Sequence, residues 1–263
     1  MNVDLSMKLN LSGFRIEPDS PLHKIYEDVL KFRMKPIWDG DVDLRKFSSP
    51  RHDNSTTNSC VANAVVKALE IKRIQKYGHA SHVDLSRLAV YYLARELMSP
   101  PETNKDNGTY VSHALDAIRR FGVCEEKDWP FDVKNVNVPP SWLAMRKAYK
   151  HKISSFYKIR SVGTLRIDAV IECLRAGNPV IFGTKIGDNW VHYKKDQVLD
   201  IPKKYDGQHA TVLLGYKDGK FIGENSWGAL WGDNGFYYMD PDVIGSSVSE
   251  QFWVPQAGWE QLL

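Results

Sequence analysis

Polar and apolar positions follow different rhythms along this chain. At the start, Val3, Leu5, Met7, Leu9 and Leu11 alternate with polar residues, the period-two pattern of a strand with one buried face. From Ser59 to Tyr77 the rhythm becomes helical. Val61, Ala64, Val65, Ala68, Leu69 and Ile71 recur along one helix face, and Gly78 stands where a helix would end. This places Cys60 at a helix N-terminus. Two more helices are predicted, one capped by Asp84 or Ser86 and running through Leu88, Tyr91, Tyr92 and Leu97, the other over Val111 to Phe121 ahead of Gly122. Past Pro130, Pro139 and Pro140 a helix is predicted over Leu165 to Ala176. Short β-rich runs follow at Pro179 to Phe182, Ala210 to Tyr216, Phe221 to Ile222 and Gly235 to Met239, parted by Asp-Gly turns at Asp206-Gly207 and Asp218-Gly219.

Helices first and antiparallel strands afterwards predict an α+β fold of two lobes. Pro18, Pro21, Pro36 and Pro50 interrupt the periodicity before the first long helix, leaving room for one short helix from Pro21 to Phe32 capped by Ser20. Residues 1–40 therefore read as an N-terminal extension wrapping a core domain of residues 41–245. Within that core, 41–140 form the mainly helical lobe and 141–245 the mainly β lobe, while 246–263 read as a C-terminal tail packing on it. The chain has no internal repeat and no low-complexity tract.

Composition narrows the class. With 263 residues, 43% hydrophobic and 25% charged, this is a globular chain long enough for a sizeable core; disordered and collagen-like classes are excluded. Thirty-five basic residues against 32 acidic leave a formal charge of +3, too small and too evenly spread to point to nucleic acid or an anionic membrane. There is no run of 18 apolar residues to span a bilayer, and the first residues lack the basic and continuous apolar regions of a signal peptide. Cys60, Cys124 and Cys173 are an odd set without paired spacing, which argues against a disulfide scaffold or a zinc ribbon. A reducing, non-secreted setting is expected, the cytoplasm or a viral particle. The acceptor triplets at Asn10, Asn54 and Asn107 then read as chance.

The candidate chemistry begins with Cys60. A thiol becomes a strong nucleophile when its thiolate is stabilised by the positive end of a helix and a neighbouring imidazolium. Taken alone, a free cysteine on an apolar helix is a small buried hydrophobe, and Cys124 and Cys173 keep that reading. Among eight histidines, seven lack context: His79 and His82 are three apart without a nearby ligand cluster, and His23, His52, His113, His151 and His192 stand alone. His209 differs, because it heads the strong strand Ala210 to Tyr216. Beyond it, in Asn225-Ser226-Trp227-Gly228-Ala229-Leu230-Trp231-Gly232-Asp233-Asn234-Gly235-Phe236, two tryptophans four apart are each followed by glycine, a spacing that serves neither helix nor strand.

That segment resembles, residue for residue, the papain-family signature Asn-Ser-Trp-Gly-x-x-Trp-Gly-x-x-Gly-aromatic. Cys60 to His209 spans 149 residues, within the roughly 130 to 150 of this family. The likeness runs from Val42-Asp43-Leu44-Arg45 to about Asp240. It takes in Asp106-Asn107-Gly108, similar to the substrate-cleft glycine segment, as well as Trp129-Pro130-Phe131 and Gly177-Asn178-Pro179-Val180. Ser59-Cys60-Val61-Ala62-Asn63-Ala64 looks like the nucleophile helix of bacterial and viral-type members rather than of papain itself. The resemblance implies a papain-like two-lobe fold with the active site between the lobes, and a Cys60, His209 and Asn225 triad. In it Asn225 orients His209, and Trp227 shields their hydrogen bond. Asn107, Gly108, Tyr110 and Gln208 are expected at the substrate cleft.

One departure concerns the oxyanion hole, which in the family joins the nucleophile's own N–H to a glutamine amide six residues before it. Here Asn54 stands at that position, one methylene shorter, and Ser55 and Asn58 replace glycines common in the family's loop. Losing such a donor costs about 100- to 1000-fold in rate. Thr57 replaces the family's disulfide cysteine, in keeping with a reducing setting.

The leading expectation is a cysteine endopeptidase, a hydrolase acting on protein or peptide substrates through an acyl-enzyme, without metal or organic cofactor. No nucleic-acid or membrane partner is expected, and the extension is free to dock a larger assembly. The altered Asn54 to Asn58 loop, together with an extension of roughly 40 residues that is short for an inhibitory propeptide, motivates the alternative, an impaired papain-fold binding or structural protein. A third reading, acyl transfer to an amine, is disfavoured by Asn225, since that chemistry generally uses an aspartate there.

Overall fold

The computed structural model describes residues 11–30 and 40–257. The alternating run from Val3 to Leu9 lies outside the described residues. Helix α1 (Tyr26–Leu30) starts later than the predicted Pro21, the predicted end at Phe32 lies outside the described residues, and Ser20 does not cap the helix. The Ser20 hydroxyl instead accepts from the Leu22 amide in a preceding turn.

After the two-residue strand β1 (Val42–Asp43), helix α2 (Cys60–Tyr77) runs through the centre of the molecule, buried at every position from Cys60 to Ile71. Its apolar face was legible, but its other face is covered as well, so Asn63, Lys67 and Glu70 are enclosed and must find polar partners inside. Helices α3 (Arg87–Glu96) and α4 (Val111–Phe121) pack beside it. Ser86, not Asp84, caps α3, its hydroxyl accepting from the Ala89 amide at 3.2 Å. Gly78 and Gly122, both at positive φ, end α2 and α4 where expected. The short α5 (Trp142–Ala148), capped by Ser141, has too few turns to carry a periodic signal.

The second half builds one antiparallel sheet from β2 (Ile153–Ile159), β3 (Val180–Ile186), β4 (Gly207–Lys217), β5 (Lys220–Glu224), β6 (Phe236–Met239) and β7 (Ser249–Ala257), in the order β2-β7-β3-β4-β5-β6. β1 pairs with β4. Helix α6 (Gly163–Arg175) covers β4 together with α2, α8 (Pro241–Gly245) leads into β7, and α7 (Asp188–Val191) is one turn that carries Trp190.

Two sequence expectations are corrected. Of the expected tail 246–263, the part that is described forms β7, which is inserted between β2 and β3 rather than laid on the core, and 258–263 lie outside the described residues. Phe252, Trp253 and Val254 are all buried, so the strand does not alternate, and Pro255 weakens its strand pattern further. The Asp206-Gly207 pair does not turn: Gly207 begins β4, in register with Ile186. Asp218 and Gly219, both at positive φ, do form the β4–β5 hairpin turn. One continuous apolar core joins both halves, and they meet where α2 packs on β4. No helix of the described residues is long and apolar enough to cross a membrane.

Candidate active site

Cys60 is the first residue of α2, and Ser59 before it makes no side-chain cap, so the first amides of an 18-residue helix point at the thiol unanswered. The amides of Cys60, Val61 and Ala210 all lie against the sulfur. Ala210 is the neighbour of His209 on β4, which brings the thiol and the imidazole to the same point of the α2–β4 junction.

His209 is held by pairing with Thr184 on β3 and by Asn225, which follows β5. Its Nε2 donates to Asn225 Oδ1 at 2.7 Å, and the same oxygen accepts from the Ser226 amide at 2.8 Å. With the amide oxygen facing the ring, Nε2 carries the proton and Nδ1 is a bare acceptor; Nδ1 is buried and makes no hydrogen bond. The Trp227 ring lies over the imidazole, centroids 4.8 Å apart, and shields the His209–Asn225 bond. Trp190, a residue the sequence reading missed, packs edge-on at 6.0 Å from His209, and its carbonyl accepts from Trp231 Nε1. Trp190 sits outside every signature and on a one-turn helix, so only proximity reveals it.

The loop before α2 is tied to the tryptophan segment. Asn54 N–H donates to Ser226 O and Gly228 N–H to His52 O. The Asn54 side chain is fixed at both ends, Oδ1 accepting from Ser226 Oγ at 2.9 Å and Nδ2 donating to Thr57 O at 3.0 Å. One Nδ2 hydrogen remains. Ser55 holds φ at +50°, a backbone that suits the glycine it replaces. Asn58 has a use of its own: its amide and side chain both bond Asp106, whose carboxylate accepts from Tyr91 Oη, while Gly108 N–H donates to the same Tyr91 oxygen. Asp106 and Tyr91 thus fix the Gly108 segment; the sequence named Asp106 only as part of that segment and Tyr91 only as a residue of α3, without this role.

The expected cleft residues meet the chain's own N-terminal segment. Leu11 O accepts from Gln208 N–H at 2.7 Å, Thr109 N–H donates to Gly13 O, and Arg15 N–H donates to Thr109 O. Arg15 lies over the Tyr110 ring and pairs with Glu102 at 3.0 Å. Phe14 is buried against Gly183, and Ser112 donates to Glu17. Asn107 is exposed to one side. At the centre of this strap Gly13 lies directly on the Cys60 thiol: a Cβ there would fall 2.7 Å from Cys60 Sγ and 2.6 Å from Asn58 O.

Covered in this way, Cys60 and His209 are 1% and 0% exposed. Burial pushes the thiol up to about 12, against the pull of the surrounding amides. Burial also pushes His209 down to about 4, against the hydrogen bond to Asn225. The pair therefore rests as neutral thiol and neutral imidazole. Cys60, Cys124 and Cys173 are all free and buried. Of the other histidines, His52 does not stand alone as the sequence implied, and His82, read as lacking nearby ligands, also has a carboxylate beside it, because α2 brings Glu70 up to both.

A thiol at a helix head, a histidine oriented by a carboxamide and a tryptophan roof recur together in one known family, and its sequence profile, the papain family of cysteine proteases, matches residues 39–254. The chain belongs to that family. It is a cysteine-type peptidase by that membership, and its papain-like fold is matched among solved structures. An uncharacterized peptidase C1-like protein of Acanthamoeba polyphaga mimivirus is 30% identical over 86% of this chain and 78% of the viral protein. Falcipain-3 of Plasmodium falciparum is 25% identical over 95% of this chain, which spans 52% of that relative. In fold, xylellain, a cysteine protease from Xylella fastidiosa, superposes with a TM-score of 0.78 at 24% identity, over 95% of this chain and 97% of that one. The viral relative agrees with the resemblance to viral-type members, and the bacterial structure shares the fold.

Proposed function

We propose that this peptidase is an endopeptidase working through Cys60, His209 and Asn225, and that the strap of residues 11–17 holds it latent. When the strap leaves, His209 Nδ1 takes the proton of Cys60 Sγ, and the thiolate attacks a peptide carbonyl. The oxyanion is held by the Cys60 N–H and the remaining Nδ2 hydrogen of Asn54. The imidazolium protonates the leaving amine, giving a thioester, which water hydrolyses with His209 as base. Asn225, being neutral, orients the ring without adding a second charge.

The observation that carries this reading is the 2.7 Å bond from His209 Nε2 to Asn225 Oδ1 beneath Trp227, with Nδ1 left bare beside the nucleophile's helix. Strap-released protein and its Cys60→Ala variant are compared on a fluorogenic peptide and with an epoxysuccinyl thiol probe. Hydrolysis and stoichiometric labelling, both lost with Cys60→Ala, are the expected result. Hydrolysis unchanged in Cys60→Ala would overturn the assignment, and labelling of no cysteine would favour a binding protein.

A further inference from the structure

Further along α2 from the thiol, side chains far apart in sequence come to one point. Glu70 is fully buried on α2, His52 is 6% exposed in the loop before it, and His82 and Asp84 lie on the segment leading to α3. His52 Nε2 is 3.3 Å from Glu70 Oε2 and 3.7 Å from Asp84 Oδ1, and His82 Nε2 is 3.9 Å from the same Glu70 oxygen. Yet neither ring nitrogen of His52 makes a hydrogen bond, nor does His82 Nε2. His52 therefore meets the two carboxylates only through ion-pair contacts, and a buried imidazole whose ring nitrogens make no hydrogen bond still has a lone pair to offer an ion.

We propose that His52, Glu70 and Asp84 bind a divalent cation of the zinc type. Ligands 2.0 to 2.2 Å from a tetrahedral ion stand roughly 3.3 to 3.6 Å from one another, close to the spacings of His52 Nε2 to both carboxylates. Donor atoms of all three residues lie within 4.8 Å of one another. One imidazole nitrogen and two carboxylate oxygens suit a borderline ion. Glu70 is oriented in advance, with Oε1 accepting from the Leu85 amide at 3.0 Å and Oε2 from the Ser49 hydroxyl. Asp84, 53% exposed, gives the ion a way in, and His82 Nε2 lies 3.9 Å from the Glu70 carboxylate. Lys67 Nζ lies 3.9 Å from Glu70 Oε2, but its charge is opposed by Glu224 at 3.1 Å. Because His52 O also holds Gly228 N–H, the ion would fasten the Asn54 loop to α2. Its role is structural and takes no part in peptide hydrolysis.

The test titrates tag-free, full-length Cys60→Ala protein with cobalt(II), so that the active-site thiol cannot compete. One equivalent is expected to bind with the visible ligand-field absorption of a four- or five-coordinate centre, without a thiolate charge-transfer band, and zinc should displace it. Both His52→Gln and Asp84→Asn, added singly, should abolish the absorption; Asp84 is half exposed, so its variant is expected to fold. Absence of the absorption in the parent would overturn the proposal, leaving His52 and Glu70 as an ion pair only. So would an unchanged spectrum and stoichiometry in the two variants.

Discussion

Gly13→Ala should switch the peptidase on without removing any of the strap. Gly13 is not at a left-handed backbone, so alanine adopts its conformation without strain, and the whole effect is steric. The added methyl would sit 2.6 Å from Asn58 O and 2.7 Å from Cys60 Sγ. Neither neighbour gives way easily: Asn58 is tied to Asp106 by its amide and its side chain, and Cys60 begins the central helix. Forcing one extra carbon into such a seat costs about 1 to 3 kcal/mol, and the strap is the element that can move. That cost falls on the closed state alone, so the open fraction should rise roughly 5- to 150-fold, and the peptidase rate with it while the open form is the minority. The assay is the initial rate of full-length wild type and Gly13→Ala on one fluorogenic peptide, normalised by active-site titration, with Cys60→Ala as the blank. Phe14→Ala, which removes the buried anchor on Gly183, should activate by an independent contact. If deletion of the strap activates but Gly13→Ala does not, the seat on the thiol is looser than these distances require. If none of the three activates, the strap does not inhibit.

Other outcomes follow from the same geometry. Closed, His209 titrates near 4 and Cys60 near 12, against ordinary values of 6.5 and 9.0; opening therefore takes up a proton as pH falls from 6.5 towards 4 and releases one as pH rises above 9. The latch should be tightest between those ordinary values. Hydrogen-exchange protection of the Arg15 and Thr109 amides, corrected for intrinsic rates, measures it, and protection that stays flat from pH 7 to pH 4 would refute the argument. Asn54→Ala in strap-released enzyme should lower kcat by about 100- to 1000-fold with little change in KM, whereas an unaltered kcat would remove Asn54 from the oxyanion hole. Lys67→Met should cost about 3 to 5 kcal/mol in urea unfolding by leaving the buried Glu224 carboxylate short of its 3.1 Å partner; a loss under 1 kcal/mol would mean that Arg51, 3.5 Å away, suffices.

What could be read from sequence and what could not divide along a physical line. Periodicity reports one-sided burial, so it found α2, α3 and α4, whose ends also carry Ser86, Gly78 and Gly122 as punctuation. It missed β7 because a strand enclosed on both faces does not alternate, and it gave no warning that the polar face of α2 is buried as well. The chemical centre was legible for a different reason. Two tryptophans at a non-periodic spacing have no use in a helix or a strand, so their presence pointed to a site, and the asparagine beside them now meets His209.

Partnership between distant residues leaves no such trace. Gly13 carried no signal, since a glycine in an irregular segment has many uses, and only its approach to Cys60 gives it one. The same holds for His52, read as isolated because its neighbours, Glu70 and Asp84, are 18 and 32 positions away in the chain and meet only when α2 turns them together. Both cases bear on the same loop. The segment from His52 to Cys60 is gripped by Gly228 and Ser226 on one side, by Asp106 on another and by the strap from above. A loop held at three points can tolerate asparagine and serine where its relatives use glutamine and glycine, because its shape is set by partners rather than by backbone freedom. Loosening a grip that leaves the triad untouched should then lower activity through Asn54. Tyr91→Phe does this: it removes the hydroxyl that joins Asp106 to the Gly108 amide. In strap-released enzyme it should reduce kcat several-fold while epoxysuccinyl labelling of Cys60 continues, and an equal loss of both would place the damage at the thiol instead.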